Sequence, residues 1–324
     1  MPQTAELDCI IIGGGPAGIS CALELTEHKH PYVLLEKDDQ LGGQLDQILN
    51  TIRNLAAGFF ENGQALRKEM CSLAERRNLT IQCNRNVTKL DAANRVVWVG
   101  DSSLRARTIV VATGASMRKL DVAEADRFSD DIFYRTELVE DRLYGHALAV
   151  VGGGDSALME AMTLAEHCPR VYLIHRSTKF NARADVVQEV RSNPRIEIVP
   201  PSTISQLRGE EHLCEVAIKF LSKAGAPPCR SPDRFLAYDA NGARIAIDRL
   251  VVKIGYQPHT ELLAGQVNLD SAGFAMTDTN CETSAPCVYS VGDITHPAYL
   301  RIAQAMGQGI VAANHIHRRL RDEA

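Results

Sequence analysis

Short, uninterrupted apolar runs along the chain are followed by glycine clusters and then by apolar residues at helical spacing. Residues 9–12 form such a run, and the glycine cluster 13–18, a segment of helical periodicity and a second run at 32–35 follow it. The same order returns at mid-chain, with a run at 147–151 and a glycine cluster at 152–157. Apolar strands that alternate with helices are typical of parallel sheets buried on both faces. The repeat predicts two nucleotide-binding domains rather than a short-period solenoid.

Further apolar runs indicate where the chain passes between these two domains. Residues 108–114 close the first unit, and residues 250–256 follow the second. Between 200 and 248, alternating segments broken by Gly and Pro predict antiparallel strands. The chain then returns with the run 288–293 and a final helix over about residues 300–320.

These elements predict an α/β fold with two Rossmann-like, three-layer nucleotide-binding domains, the second inserted into the first. We expect the first domain to comprise residues 1–117 and 251–324 and the inserted domain to comprise residues 118–250. The length of 324 residues suits two domains of ordinary size.

Composition excludes several classes of function. The formal net charge of −5 gives no basic field that would attract nucleic acid or an anionic membrane. The first eight residues carry acids instead of the basic start of a signal peptide, and no apolar run reaches membrane-spanning length. We therefore expect a cytoplasmic protein that binds neither nucleic acid nor membrane. None of the nine cysteines stands in a C-x-x-C pair, so we expect no metal site.

The first glycine cluster has the spacing of a dinucleotide-binding turn. Gly13 makes a tight turn, Gly15 lets the backbone approach a pyrophosphate, and Gly18 lets the helix pack against the strand. Glu36 stands at the end of the next strand, where an acid accepts hydrogen bonds from ribose hydroxyls. Strand, glycines, helix and acid in register predict a nucleotide site.

Four motifs carry a resemblance to a known family. Residues 13–18, the run 41–45 (Leu-Gly-Gly-Gln-Leu), residues 112–114 (Ala-Thr-Gly) and the pair 292–293 (Gly-Asp) match in order. Over essentially its whole length, the chain resembles the low-molecular-weight thioredoxin reductases and the thioredoxin-reductase-like ferredoxin–NADP reductases. The resemblance implies a flavin-dependent oxidoreductase with bound FAD that forms a homodimer.

The resemblance also implies which residues hold the FAD. The Gly-Gly-Gln loop and the Ala-Thr-Gly strand would embrace the flavin, and Asp293 would bind its ribityl chain. Arg301 and the start of the final helix would face the flavin edge where negative charge gathers on reduction. The implied cofactor-binding set is Gly13, Gly15, Pro16, Ala17, Gly18, Glu36, Gly43, Gln44, Asn54, Val87, Thr113, Gly114, Gly292, Asp293, Arg301 and Ile302.

The second glycine cluster predicts a site for NADPH. The strand after it ends in a basic pair, and a cation at this place suits a 2′-phosphate where an acid would select NAD. The candidate residues are Gly152, Gly154, Asp155, Ser156, Ala157, His175 and Arg176. At two nearby positions where the family carries arginine, this chain has Ser177 and Asn181. Lys179 and Arg183 are candidate substitutes for the missing cations. Losing two cations would weaken the binding of the phosphate.

The redox disulfide of the family is missing from its usual place. Thioredoxin reductases carry C-x-x-C just before the second glycine cluster, whereas residues 135–138 read Arg-Thr-Glu-Leu in this chain. Cys281 and Cys287 are the candidate substitute pair, although sequence spacing does not fix the distance between them. Apart from these two thiols and Arg301, no side chain is a candidate for catalysis, because a flavin itself supplies the chemistry.

Three hypotheses follow for function. The first is an oxidoreductase that passes electrons between FAD and ferredoxin or flavodoxin, with NADPH as donor or acceptor. The second is a divergent thioredoxin reductase that uses relocated cysteines or a donor other than NADPH. The third is a flavin-loaded redox sensor without turnover. The first is preferred over the second.

Overall fold

The computed structural model describes residues 7–56, 58–136, 139–221, 235–295 and 300–323. The strands are β1 Leu7–Ile12, β2 Tyr32–Leu35, β3 Ile81–Gln82, β4 Val87–Asp91, β5 Val96–Val99, β6 Ser102–Val111, β7 Ala115–Met117, β8 Ile132–Phe133, β9 Ala147–Val151, β10 Arg170–Ile174, β11 Ile196–Ile198, β12 Ser202–Gly209, β13 Leu213–Phe220, β14 Ala237–Tyr238, β15 Gly242–Ala246, β16 Arg249–Val252, β17 Tyr256–Pro258 and β18 Val288–Ser290. The helices are α1 Pro16–Glu27, α2 Gly63–Arg76, α3 Glu140–Leu143, α4 Asp155–His167, α5 Ala184–Ser192 and α6 Ile302–Asp322, with short 3-10 helices at Gly43–Gln47 and Gly292–Thr295.

The chain divides into two compact units. One comprises Met1–Ser116 and Gln257–Ala324, and the other comprises Met117–Tyr256. The predicted α/β class is confirmed, because each unit combines helices with a sheet of mainly parallel strands. No helix in the described ranges combines the length and the apolar character that crossing a membrane requires.

The first unit contains a seven-stranded sheet in the order β3-β2-β1-β6-β5-β4, with β18 also paired to β6. Strands β1, β2, β6 and β18 run parallel, and β4 and β5 add an antiparallel edge. Residues 9–12 are at most 5% exposed, which explains why this strand is apolar at every position instead of alternating. Because β1 and β6 pair in parallel, with Ile12 opposite Val111, their carboxyl ends lie side by side.

Helices α1 and α6 pack closely across one face of this unit. Pro16 occupies the first turn of α1, where its fixed φ suits a helix start. A Cβ on Gly309 of α6 would lie only 2.1 Å from the Ala17 carbonyl oxygen and 3.0 Å from the Cys21 nitrogen. The glycine thus allows a backbone approach that no side chain would permit.

The second unit combines a parallel and an antiparallel sheet. Its five-stranded sheet has the order β11-β10-β9-β16-β8, and its four-stranded sheet has the order β12-β13-β15-β14. The buried carboxylate of Asp131 accepts hydrogen bonds from Arg249 at 2.9 Å and from the Leu213 backbone at 2.8 Å. This carboxylate links residues of the two sheets in place of a purely apolar contact.

Several predicted strands are shorter in the structure than in the sequence pattern. The run 108–114 is strand only to Val111, and residues 292–295 form a 3-10 helix instead of extending β18. Gly114 and Gly292 adopt φ of +72° and +81°, a left-handed conformation that ends a strand and favours glycine. The final helix begins at Ile302, close to its predicted start.

Replacing Gly309 tests the approach of the two helices. We expect Gly309→Ala to lower the free energy of unfolding by about 1–3 kcal/mol, because the added methyl group meets backbone atoms of α1. Gly307→Ala is the matched control on the same helix, since a Cβ there meets no atom of the described residues within 4 Å. The control should be neutral or stabilise the protein by up to about 1 kcal/mol through helix propensity. Equal effects of the two substitutions in thermal and denaturant unfolding would contradict this packing.

Candidate functional sites in the two units

The first glycine cluster follows the carboxyl end of β1 and packs closely against neighbouring backbone. Gly13 has a φ of +108°, and a Cβ there would lie 2.5 Å from the Ala112 carbonyl oxygen. A Cβ on Gly18 would lie 2.0 Å from the Gly13 carbonyl oxygen. The N-terminus of α1 is therefore held at the end of the sheet, where its free N–H groups suit a phosphate.

Glu36 fixes this turn from the end of β2. The side chain is 5% exposed, and its two oxygens accept hydrogen bonds from the backbone N–H groups of Gly14 at 2.6 Å and Asp38 at 2.9 Å. A carboxylate retains further lone pairs when it accepts two bonds, so Glu36 can still accept a bond from a ribose hydroxyl.

A second loop approaches the first cluster from the 3-10 helix at Gly43–Gln47. Gly42 donates a backbone hydrogen bond to Gly14 at 2.9 Å. A Cβ on Gly43 would lie 3.3 Å from the Gly15 Cα atom. The Gln44 amide donates to the Asp293 carboxylate at 3.4 Å, which joins this loop to the Gly-Asp turn.

Asp293 is a carboxyl group with few protein partners. Burial raises its pKa, and Gln44 supplies its only hydrogen bond within the described residues. The Gly292 N–H donates to Gln308 of α6 at 2.7 Å, and the Gln308 amide donates to Thr295 at 3.0 Å. Gln308 thus holds the turn that presents Asp293, a role that its place on an amphipathic helix does not reveal in sequence.

These features fit a bound FAD. The glycine turn leaves the N-terminus of α1 open to a pyrophosphate, Glu36 suits a ribose, and the half-buried Asp293 carboxylate lacks enough partners of its own. Asp293 would then accept hydrogen bonds from hydroxyl groups of the ribityl chain, as the resemblance implies.

The other predicted FAD residues differ in their surroundings. Val87 begins β4 and is buried, and Ile302 is the half-buried first residue of α6. Arg301 caps α6 through its extended backbone and is exposed. Asn54 is exposed in the loop between the Ile52–Phe60 bridge partners, and no hydrogen bond among the described residues holds it toward the site. Contact between these four residues and FAD stays a prediction.

The second unit repeats the glycine geometry. Gly152 has a φ of +150°, and a Cβ there would lie 2.3 Å from the Lys253 carbonyl oxygen. Gly154 caps α4, and the Asp155 carboxylate accepts a hydrogen bond from the Arg183 backbone at 2.9 Å. Ala157 is fully buried under the turn and Ser156 is exposed. The N-terminus of α4 therefore carries a negative side chain near the place where a pyrophosphate would bind.

His175 closes one side of this second cluster. A Cβ on Gly153 would lie 2.2 Å from the His175 ring, which stacks on Phe180 with 5.3 Å between ring centroids. Burial lowers the pKa of His175, and the ring contacts the Lys179 carbonyl oxygen at 3.3 Å. These contacts give His175 a packing role, while Arg176 next to it is exposed and available to a phosphate.

An ion pair lies beside the glycine cluster of the second unit. The Lys253 ammonium group lies 3.5 Å from Glu160 of α4 and 3.5 Å from the Thr136 hydroxyl. The side chains of Lys253 and Glu160 are 10% and 18% exposed. Thr136 belongs to the four residues at the expected position of the disulfide, whose last two members lie outside the described residues. Sequence reasoning missed this pair because its members come from distant elements.

Cys281 and Cys287 have different surroundings. Cys281 is 5% exposed in the apolar core that also contains Cys9 and Cys21, and burial raises the pKa of its thiol to about 11. The Cys287 sulfur instead accepts a hydrogen bond at 3.0 Å from Arg319, which also binds Glu282. The described cysteines are all free thiols, and Cys229 lies outside the described residues.

No group of three or more His, Cys, Asp or Glu side chains within the described ranges could hold a metal ion.

Comparisons with known proteins agree with this geometry. The family of pyridine nucleotide-disulphide oxidoreductases matches residues 7–309. A 34.2 kDa protein in the rubredoxin operon of Clostridium pasteurianum is 26% identical over 97% of both chains, and a thioredoxin reductase of Peptoclostridium acidaminophilum is 26% identical over 94% of both. The solved structure of Lactococcus lactis thioredoxin reductase in its FR conformation superposes with a TM-score of 0.72 at 23% identity, covering 98% of this chain and 100% of that one.

Replacing Asp293 should separate stability from cofactor binding. Because burial raises its pKa, the folded apoprotein holds this proton to a higher pH than the unfolded chain does. Folding therefore loses stability as the pH rises through these two pKa values, and the neutral Asp293→Asn variant should raise the Tm of the apoprotein at neutral pH. The same variant should bind FAD about tenfold more weakly, because it loses charge-assisted hydrogen bonds.

Calorimetry of the apoprotein and FAD titration by fluorescence measure the two effects. Asp39→Asn is the matched control, since it removes an equal charge from an exposed position. A lower Tm together with unchanged FAD affinity in Asp293→Asn would contradict the assigned role of this carboxylate.

Proposed function

The chain belongs to the pyridine nucleotide-disulphide oxidoreductase family and is a flavin-dependent oxidoreductase, and we propose that it exchanges electrons with a small one-electron carrier protein. Ferredoxin and flavodoxin are the carriers we favour. NADPH is the proposed second reactant, which donates electrons to the FAD or accepts them from it. No disulfide of the chain takes part.

The observation that carries this proposal is the sequence before the second glycine cluster. No cysteine occurs between Cys83 and Cys168, so a disulfide relay cannot run through this segment. The remaining candidate thiols, Cys281 and Cys287, differ in surroundings, one within the apolar core and the other beside Arg319. A carrier that takes single electrons requires no thiol on the enzyme.

The stoichiometry of the proposed reaction is balanced without a further reactant. One NADPH and two oxidised carrier molecules give one NADP⁺, one proton and two reduced carriers. FAD, when bound, accepts two electrons together and releases them singly, which is the chemistry that joins a hydride donor to a one-electron carrier.

The residues of the chain bind and orient in this reaction. The N–H groups at the start of α1 would hold the pyrophosphate of FAD, Glu36 would orient the ribose, and Asp293 would hold the ribityl chain. Arg176 would supply the positive charge for the 2′-phosphate of NADPH. Gln308 would keep the Gly-Asp turn in place during turnover.

The nature of the relatives supports a small redox protein as partner. One relative is described as a protein in a rubredoxin operon and another as a thioredoxin reductase. Rubredoxin and thioredoxin therefore belong beside ferredoxin and flavodoxin in any assay of acceptors. A homodimer and a cytoplasmic location stay predictions.

An anaerobic absorbance titration of the FAD-loaded protein with NADPH tests the nucleotide half of the proposal. One equivalent of NADPH per FAD should bleach the flavin band, and two equivalents of oxidised ferredoxin or flavodoxin should then restore it. Arg176→Ala should raise the Kd for NADPH about tenfold through one lost charge-assisted contact, and it should leave the weaker binding of NADH unchanged.

The opposite result is equally informative. If NADPH leaves the flavin oxidised while dithionite or reduced ferredoxin bleaches it, the second glycine cluster does not serve NADPH. If the reduced flavin then passes electrons to no carrier and to no disulfide substrate, the redox-sensor hypothesis replaces the proposal.

A further inference from the structure

His259 makes a set of hydrogen bonds to the Ala-Thr-Gly segment at the end of β6. Its ring Nδ1 lies 2.9 Å from the Thr113 carbonyl oxygen, and its backbone N–H donates to the Gly114 carbonyl oxygen at 3.0 Å. The Thr113 hydroxyl donates to the His259 carbonyl oxygen at 2.7 Å, and the ring Nε2 lies 3.2 Å from the Ser116 hydroxyl. One histidine therefore holds two residues of this segment and Ser116 of β7, and the motifs in the sequence do not include it.

The partners determine which ring nitrogen carries the proton. A carbonyl oxygen only accepts hydrogen bonds, so Nδ1 must be protonated to bind Thr113. In the neutral ring, Nε2 then accepts a bond from the Ser116 hydroxyl. A hydroxyl can also accept, so this clamp needs only the Nδ1–H.

The clamp fixes the direction of one backbone N–H group. In a trans peptide the C=O and the N–H point in opposite directions, so the peptide that turns the Thr113 carbonyl toward His259 turns the Gly114 N–H away from it. Within the described part of the chain, no protein group accepts a hydrogen bond from this N–H. Among the described residues, a Cβ on Gly114 would meet only the Gln44 amide, at 3.9 Å, so space remains beside the Gly114 Cα atom.

Without such a clamp this peptide would be easily reoriented. Gly114 has a φ of +72°, and glycine occupies both signs of φ at similar cost. The three hydrogen bonds between His259 and the Thr113 and Gly114 backbone or hydroxyl groups select one of the available orientations. The selected orientation keeps the Gly114 N–H turned away from His259. A Cβ on Gly114 would lie 3.9 Å from the amide nitrogen of Gln44, which donates to Asp293, so this segment adjoins two residues that we expect to hold FAD.

We infer that His259 is a positioning residue for the flavin: it holds the Thr113–Gly114 peptide so that the Gly114 N–H is presented to FAD. The inference rests on the assignment of this site to FAD, and it is independent of which carrier protein exchanges electrons with the chain. His259 itself touches no reacting atom in this assignment.

The test compares FAD binding to four purified variants as apoproteins. His259→Ala removes the ring contacts and should raise the Kd for FAD about tenfold and change the visible circular dichroism of the bound flavin. His259→Asn should restore both values to within about threefold of wild type, because its amide N–H lies where Nδ1–H lies. Ser116→Ala should also bind FAD normally, because it leaves the Nδ1–H contact intact.

A fourth variant and a second measurement exclude general destabilisation. His28→Ala removes a half-buried histidine of the same unit that bonds to Asn314 instead of Thr113, and it should leave FAD binding unchanged. The Tm of each apoprotein is measured in parallel. The inference is overturned if His259→Ala binds FAD like wild type, if Asn fails to rescue Ala, or if His28→Ala weakens FAD binding equally. Failure of electron transfer to carriers in the wild type would instead count against the proposed function alone.

Discussion

Both candidate sites depend on one constraint: at a few glycines, two backbone segments lie so close together that a Cβ would not fit between them. At Gly13 and Gly152 a Cβ would lie within 2.5 Å of a carbonyl oxygen from the neighbouring strand end. At Gly18 and Gly309 it would strike the backbone of the glycine turn and of α1. Because these contacts exist, the N-termini of α1 and α4 reach the carboxyl ends of the sheets, where a nucleotide can be bound.

The two sites share this backbone geometry and differ in charge. In the first unit, the acid at the end of the second strand is buried and already holds the glycine turn through Gly14. In the second unit, the corresponding strand leads to His175, which packs on the turn, and to the exposed Arg176. We therefore expect the side chains that follow the second strand to select FAD in the first unit and a phosphorylated nicotinamide nucleotide in the second.

The sequence allowed the prediction of features that depend on local pattern. The apolar strands follow from continuous apolar runs next to segments of helical period, and the glycine spacing and the acid at Glu36 follow from the needs of a nucleotide's phosphate and ribose. Gln308 and the pair of Lys253 with Glu160 could not be predicted this way. Each links elements far apart in the chain, and each looks like an ordinary polar surface position in a periodic pattern.

The cysteines show a second limit of prediction from sequence, because a pair that the sequence suggested has dissimilar surroundings in the structure. Cys281 and Cys287 are a candidate pair in the sequence because they stand shortly before the Gly-Asp motif at 292–293. In the structure Cys281 enters the core with Cys9 and Cys21, whereas Cys287 lies beside Arg319. Proximity in sequence therefore does not establish a redox pair, because the surroundings of each thiol determine its chemistry.

Electron transfer by a chain without these two thiols tests the central claim most directly. The Cys281→Ser/Cys287→Ser variant, loaded with FAD and reduced anaerobically, is mixed in a stopped-flow instrument with oxidised ferredoxin or flavodoxin and, separately, with oxidised thioredoxin. Our account predicts that the carriers are reduced at the wild-type rate and that thioredoxin is reduced by neither protein. Reduction of thioredoxin by the wild type that disappears in the variant would show that the chain is a disulfide reductase with relocated cysteines, and would contradict the account.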